Sequence, residues 1–314
     1  MIKLRGKSKI DEDLGFGKNP IINNQRLLNK DGSSNVRRKG LPFFKPHEVY
    51  NSLIFMKRSH FWMVIIVSYL TINFLFASIY FSLGMEHLQG ANGKNDFELF
   101  FDAFFFSAQT ISTVGYGHIS PSGFATSIVA ALESMLGLLA FALATGLLYG
   151  RFSRPTAKIC YSEKMLVAPY KDGEGLMFRL ANLRSNQLIE LEITVMISIN
   201  ATENGKTIRR FAQLDLERKA INLLTLSWTV VHPITEDSPI YGLKLQDLID
   251  GQAEFLVMLK AFDDAFAQTV QSRTSYKAEE VVYNAKFDTI IQPDEDGVFA
   301  IDMSKVSDYT VLTA

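Results

Sequence analysis

The chain has 314 residues, of which 47% are apolar and 21% charged, with a formal net charge of −1. A balance so near zero gives no basis for a nucleic-acid partner. The single cysteine, Cys160, excludes both an internal disulfide and a Cys-based zinc cluster. The apolar residues crowd between positions 61 and 150, a segregation that points to membrane spans.

Residues 1–29 are polar, carry Lys3, Arg5, Lys7, Lys9 and Lys18, show no signal-peptide pattern, and are expected to be disordered. Residues 30–60 are expected to form a strand and then an interfacial helix over Pro46 to Lys57. There Val49, Tyr50, Leu53, Ile54 and Met56 share an apolar side. From Phe61 to Leu83 there is no Asp, Glu, Lys or Arg. At about 1.5 Å per residue this stretch crosses a hydrocarbon core. Phe61, Trp62 and Tyr80 lie toward its ends, where aromatic rings settle at the membrane surface.

A loop, 84–122, follows. Its Phe-rich part, Phe97 to Ile111, is too short to span and is read as a helix that dips into the membrane. It runs directly into Thr113-Val114-Gly115-Tyr116-Gly117. Irregular backbone at membrane depth is tolerated where it lines a cavity. Here the carbonyls of Thr113, Val114, Gly115 and Tyr116, with the Thr113 hydroxyl, can replace the water around a cation. The glycines permit positive φ, and Val114 and Tyr116 are expected to point away from the axis. A ring of such carbonyls needs four subunits. This string is the one potassium-channel filters carry, and its selectivity is taken from that precedent. A given five-residue string arises by chance in roughly one such chain in ten thousand.

The second span covers Gly123 to Phe152 and holds one ionisable residue, Glu133. A carboxyl at that depth must face protein or water, so Glu133 is expected behind the filter or in the cavity. Lys45, Lys57 and Arg58 precede the first span and Arg151, Arg154 and Lys158 follow the second, while the loop holds only Lys94. That asymmetry predicts a multi-pass protein of the cell membrane with both termini cytoplasmic. From Pro155 onward, alternating stretches appear at Leu176–Leu180, Glu190–Ile199, Leu223–Val231 and Ala253–Lys260, with turn signals at Asp172-Gly173 and Asn204-Gly205. They predict a β-sandwich. No G-x-G-x-x-G, P-loop, G-x-S-x-G or H-E-x-x-H is present, and the five histidines are scattered. The expectation is no enzyme, no bound cofactor and no metal site beyond K+ as permeant ion.

From about residue 30 onward the sequence resembles the prokaryotic inward-rectifier potassium channels. The residues that carry this are Asp31-Gly32-Ser33-Ser34-Asn35, the filter segment Gln109 to Gly117, and Tyr149 to Pro155. In the last half they are Leu180 to Arg184, Leu226 to Val230, His232-Pro233-Ile234 and Ser238 to Gly242. The resemblance implies a helical two-span pore domain with a pore loop, 61–152, after an interfacial slide helix in 30–60. It also implies a cytoplasmic all-β immunoglobulin-like sandwich domain, 153–314, and assembly as a homotetramer. It makes Phe141 and Tyr149 the pore gate and Gly137 a hinge. Arg151, Arg154 and Lys158 become contacts to anionic phospholipid or phosphoinositide headgroups. Two departures stand out. Phe141 is apolar where strongly rectifying animal members carry an acid, and Ile119 stands where the animal pattern has Arg. Alternative readings are gating by a small ligand, which a deep polar pocket in the β-domain would support, and a membrane-anchored binding module without conduction.

Overall fold

The computed structural model describes residues 10–11, 26–36, 39–40, 49–153, 157–203, 206–293, 296–297 and 299–312. The chain divides into a helical unit, Gly40–Arg154, and a β unit formed by Met1–Lys39 with Pro155–Ala314. The first strand, β1 (Ile10–Asp11), belongs to the β unit.

Four helices build the helical unit: α1 (Val49–Phe55), α2 (Arg58–Leu83), α3 (Asp96–Ile111) and α4 (Phe124–Phe152). The 26 and 29 residues of α2 and α4 reach roughly 39 and 44 Å at 1.5 Å per residue, enough to cross a bilayer. The expected spans are both present; α2 begins three residues earlier than its uncharged run, because Arg58, Ser59 and His60 continue the helix. Of the interfacial helix expected over Pro46 to Lys57, Val49–Phe55 is helical and Met56 and Lys57 lie past its end; residues 41–48 lie outside those described. A two-residue pairing of β2 (Leu88–Gln89) with β3 (Ser120–Pro121) ties the loop's two ends together.

Along α4 the buried positions are Thr126, Ala130, Glu133, Gly137 and Leu147. The spacing of three and four residues marks one stripe of a helix. That stripe meets α3 and α2. The rest of α4 and most of α2 expose large apolar side chains such as Met63, Leu75, Leu132 and Leu139, as a helix bathed in lipid or covered by other chains does. The rings expected at the membrane surface behave differently from one another. Trp62 is exposed, but Phe61 and Tyr80 are buried, each by a polar partner described below.

The β unit is a sandwich. After β4 (Ile159–Tyr161) come β5 (Met165–Tyr170), β6 (Gly173–Asn182), β7 (Leu188–Glu203), β8 (Lys206–Leu214), β9 (Ala220–Leu224) and β10 (Ser227–Ile234). A short α5 (Leu245–Asp250) precedes β11 (Glu254–Asp263), β12 (Gln268–Lys277) and β13 (Val281–Tyr283). One sheet runs β1-β8-β7-β11-β12 with β9 also on β7; the other runs β10-β6-β5-β13 with β4 also on β6. Pairing is antiparallel except between β13 and β5. Leu191, Ile193, Val195, Phe255 and Val257 of the first sheet meet Leu176, Phe178, Leu180 and Val230 of the second in one core. The alternation read from the sequence thus marks inward faces. One reading is corrected. Leu223–Val231 is not a single strand, because the chain bends at Thr225-Leu226 and crosses from one sheet to the other. The Asp172-Gly173 signal closes the β5–β6 hairpin, while Asn204-Gly205 lies outside the described residues.

The expectation of disorder through residue 29 is also corrected at its C-terminal end. Leu27 and Leu28 are buried with Met196, Phe211 and Leu256. Their backbone N–H groups donate to Glu254 at 2.8 and 3.2 Å. Ser275 Oγ donates to the Leu28 carbonyl and Thr274 Oγ1 to that of Lys30. Arg26 and Lys30 both pair with Glu280. Burial pushes the Glu280 carboxyl up, but the Lys277 N–H together with Arg26 and Lys30 outweighs it and holds the group below the usual range. Its stabilisation is therefore complete above the unfolded carboxyl range and is lost as pH falls through the lowered folded value. What disguised this segment is composition: two leucines carry the anchorage, and acceptors more than 200 residues away complete it.

Glu254 is buried, so replacing it by Gln sets an amide nitrogen against one of two buried N–H donors, at a cost of about 1–3 kcal/mol. Hydrogen exchange at the Leu27 and Leu28 amides is expected to quicken by roughly 10- to 100-fold in Glu254→Gln. Unchanged protection would show that those amides are held without the carboxylate.

Candidate pore site

The helix that ends at the filter is fixed at both ends. At its start the Asn95 side chain accepts from the Glu98 N–H at 2.9 Å, and Glu98 accepts in return from the Lys94 N–H at 2.7 Å. Asp96 and Glu98 put negative charge on the first turn. Along its length, Phe100 and Phe104 of α3 pack on Phe74 of α2, with ring centroids 6.0 and 4.9 Å apart, and Phe106 meets Tyr80 edge-on at 5.0 Å. The Phe-rich sequence is thus the seam between pore helix and first span.

At its C-terminus the backbone of the filter satisfies the helix's last carbonyls. Thr113 N–H donates to Thr110 O at 3.1 Å, and Val114 and Gly115 N–H both donate to Gln109 O at 3.0 and 3.3 Å. Thr113, Gly115 and Gly117 have φ of +59°, +52° and +78°. Every second residue is left-handed, a backbone that does not alternate its carbonyls as a β-strand does. The glycines were legible as the carriers of positive φ. Thr113 was not, since a β-branched residue there is strained by about 1–3 kcal/mol. All residues from Ser112 to His118 are exposed on the single chain. Val114 and Tyr116, 54% and 80% exposed, have no packing behind them within this chain.

Between α2, α3 and α4 lies a buried polar group. Glu133 is 0% exposed. Its Oε2 accepts from the Tyr80 hydroxyl at 2.7 Å, and its Oε1 is hydrogen-bonded to Ser107 Oγ. Ser107 Oγ also lies 3.0 Å from Asn73 Oδ1, and the Asn73 amide donates to Tyr69 O at 2.7 Å. The acid on the second span therefore joins α2, α3 and α4. Tyr80, Ser107 and Asn73 went unrecognised as partners because each is an ordinary polar residue of an apolar helix.

One turn further along α4, Gly137 occupies regular helix. A Cβ there would stand 2.3 Å from the Ile111 carbonyl oxygen. Its role in this geometry is close approach of α4 to the end of α3; the hinge reading has no break or positive φ at Gly137 behind it. Phe141 and Tyr149 are 75% and 74% exposed on the single chain. Ile119, just past the filter, is buried with Leu88, Phe106 and Tyr80, an apolar lock in this chain.

Arg151 is committed to the protein. Its Nη1 donates to the carbonyls of Leu53 and Ile54 at 2.7 and 2.9 Å, and Nη2 to that of Met56 at 2.9 Å. The guanidinium sits 4.5 Å above the Phe61 ring. It caps the C-terminus of α1, where partial negative charge gathers. Leu147 packs beside it with Ile54 and Phe61. Of the other expected lipid contacts, Lys158 is exposed and Arg154 lies outside the described residues.

In the β unit a cavity of about 180 Å³ is lined by residues that include Asp215, Glu217, His232 and Asp237. It falls below the roughly 300 Å³ at which small-molecule sites begin. His232 is already hydrogen-bonded at both ring nitrogens, to Asp215 O and Ser238 Oγ. No group of three or more metal-ligating side chains occurs among the described residues.

Two helices long and apolar enough to cross a membrane, with a shorter helix and a strained loop between them, fit a membrane ion channel. A family model for the inward rectifier potassium channel C-terminal domain matches residues 159–313, and an ion channel model matches residues 61–154. The chain belongs to the inward rectifier potassium channel family. It is 37% identical over 293 residues to the inward rectifier potassium channel Kirbac3.1 of Paramagnetospirillum magnetotacticum, covering 92% of this chain and 97% of that protein. ATP-sensitive inward rectifier potassium channel 12 of Gallus gallus is 26% identical, covering 92% of this chain and 73% of that protein. Inward rectifier potassium channel 18 of Homo sapiens is 25% identical, with 92% and 72% covered. These relatives are ion channels, so the binding module without conduction and any enzymatic reading fall away.

Gly137→Ala forces a methyl against backbone rather than against a flexible side chain. Overpacking of this kind costs about 1–3 kcal/mol. Its expected signature is a lowered melting temperature of the detergent-solubilised protein, together with reduced Rb+ flux. A variant as stable and as active as the parent would sink the close-approach reading.

Proposed function

We propose that four copies of this chain form a potassium-selective pore that conducts K+ passively. The observation that carries this is the filter: five consecutive residues, Thr113 to Gly117, with alternating positive φ at the end of α3 and nothing of their own chain over them. Carbonyls on one chain can cover only part of a dehydrated ion, and a four-fold ring completes the shell. The exposure of Val114 and Tyr116 supports the same reading, because neighbouring copies supply the packing they lack. The C-terminal end of α3, with its partial negative charge, favours a cation beside it.

Basic residues flanking both helices support cytoplasmic termini. Phe141 and Tyr149 would narrow the pore on the cytoplasmic side. With Phe141 apolar, block by polyamines is expected to be weak. Gating is assigned to the slide helix, α4 and the β-domain, with anionic phospholipid or phosphoinositide as regulator. Within that scheme Arg151 acts through α1 more than through headgroups, since three of its five N–H donors are already taken by α1 and Met56 carbonyls. Lys158, Lys57 and Arg58 are exposed basic residues open to lipid.

The test is ⁸⁶Rb+ uptake into liposomes containing the purified protein, with Ba2+ as blocker, Na+ as competitor and anionic phosphoinositide in a second series. Ba2+-sensitive uptake that Na+ fails to compete is the expected result. No uptake from a verified tetramer under any lipid composition would count against it. In the same assay Arg151→Lys keeps the charge but cannot bridge three carbonyls. A several-fold change in uptake at fixed lipid composition is expected; unchanged uptake with a weakened lipid response would return Arg151 to the headgroups.

A further inference from the structure

Between Asn73, Ser107, Glu133 and Tyr80 there are three close oxygen–oxygen contacts: Tyr80 Oη to Glu133 Oε2, Glu133 Oε1 to Ser107 Oγ, and Ser107 Oγ to Asn73 Oδ1. Each needs one hydrogen. Tyr80 supplies one to Glu133 Oε2. Ser107 has a single hydroxyl hydrogen for two contacts, both with oxygen acceptors. If that hydrogen goes to Glu133, Asn73 Oδ1 faces a hydroxyl oxygen with nothing between them. Asn73 is fully buried, so no water relieves it. Turning the Asn73 amide over does not help. It would set Oδ1 against the Tyr69 carbonyl, which stands 2.7 Å from the nitrogen now. The missing hydrogen has one place left.

We infer that Glu133 is a neutral carboxylic acid whose proton sits on Oε1 and is donated to Ser107 Oγ. Ser107 then donates to Asn73 Oδ1, Asn73 donates to Tyr69 O, and Glu133 Oε2 accepts from Tyr80. Each of these contacts then holds one hydrogen, and no acceptor faces another. The surroundings agree. The groups hydrogen-bonded to Glu133 are Tyr80 from α2 and Ser107 from α3, with Asn73 of α2 beyond Ser107, and among the described residues no basic side chain pairs with it. A carboxylate there would be a buried charge without a counter-ion, which membrane interiors do not tolerate cheaply. Because Glu133 has no exposed surface even on the single chain, neighbouring copies cannot reach it. Glu133 is thus a positioning residue. It touches no ion, and it holds α3, and through α3 the filter, at a fixed distance from α2 and α4.

The test is infrared difference spectroscopy on the assembled protein in lipid at pH 7, wild type against Glu133→Gln. The expected difference is the loss of one protonated-carboxyl C=O band, which shifts down in D2O. Gln keeps both contacts, its amide nitrogen donating one hydrogen to Ser107 and its oxygen accepting from Tyr80, with one N–H left over. Rb+ uptake and its selectivity over Na+ should therefore stay within about twofold of wild type. Loss of a carboxylate band instead, or of no protonated-carboxyl band, overturns the proposal. Should the Gln variant not assemble, Ser107→Ala serves. Removing the hydroxyl that accepts the acid's proton moves the same band to higher frequency, whereas an ionised Glu133 would move nothing in that region. The spectroscopic outcome does not depend on conduction, so its failure is distinguishable from failure of the channel reading.

Discussion

In hydrocarbon a backbone N–H or C=O without a partner costs several kcal/mol, and the segment after α3 departs from helix at membrane depth. The structure answers by folding the filter onto the end of the helix before it. Gln109 and Thr110, whose carbonyls a free helix end would leave open, accept from Thr113, Val114 and Gly115. The N–H groups of Thr113, Val114 and Gly115 are thereby turned to α3. The strain at Thr113 is consistent with a segment held by its surroundings and not by its own preference.

Holding α3 in place is then the task of the two long helices. On the α2 side this is aromatic packing along Phe74, Phe100, Phe104 and Phe106. On the α4 side it is two residues one turn apart on a single stripe. Gly137 removes a side chain so that the Ile111 carbonyl can approach, and Glu133 adds one that reaches Ser107 and Tyr80. At the other end of α4, Arg151 plays a comparable part by gathering three carbonyls at the end of α1. Movement of α1 therefore cannot leave α4 unaffected unless those bonds, worth about 1 kcal/mol each, are broken.

Much of this was legible from one-dimensional pattern. Uncharged runs of membrane length marked both spans, a Phe-rich segment too short to cross marked α3, and period-two alternation marked the inward faces of β6, β7 and β11. What stayed hidden has a common cause, which is dependence on a partner far away in sequence. Tyr80 read as an interfacial ring because its acceptor lies 53 residues on. Arg151 read as a lipid contact because the carbonyls it binds lie 95 to 98 residues earlier and belong to no side chain. Leu27 and Leu28 read as part of a polar tail because the carboxylate that fixes them is Glu254. Within the 223–231 stretch the break was hidden for another reason, since both halves are β-competent and only the sandwich decides that they belong to different sheets.

These misses were of polar groups satisfied by distant polar groups, and that pattern bears on how the pore scaffold works. Apolar packing alone is tolerant of sliding, because one methyl contact replaces another at little cost. Hydrogen bonds buried in a dry environment are not tolerant, since a displacement of an ångström leaves a donor or acceptor bare. The described scaffold uses such bonds sparingly and where position matters: at the cap of α3, at the junction of α3 with the filter, at Glu133, and at Arg151. Between them lie greasy faces that can slip. A scaffold so arranged keeps the filter and its helix fixed while leaving the length of α4 below Gly137 bound mainly by exchangeable contacts. Phe141 and Tyr149, exposed on the single chain, sit on that looser stretch.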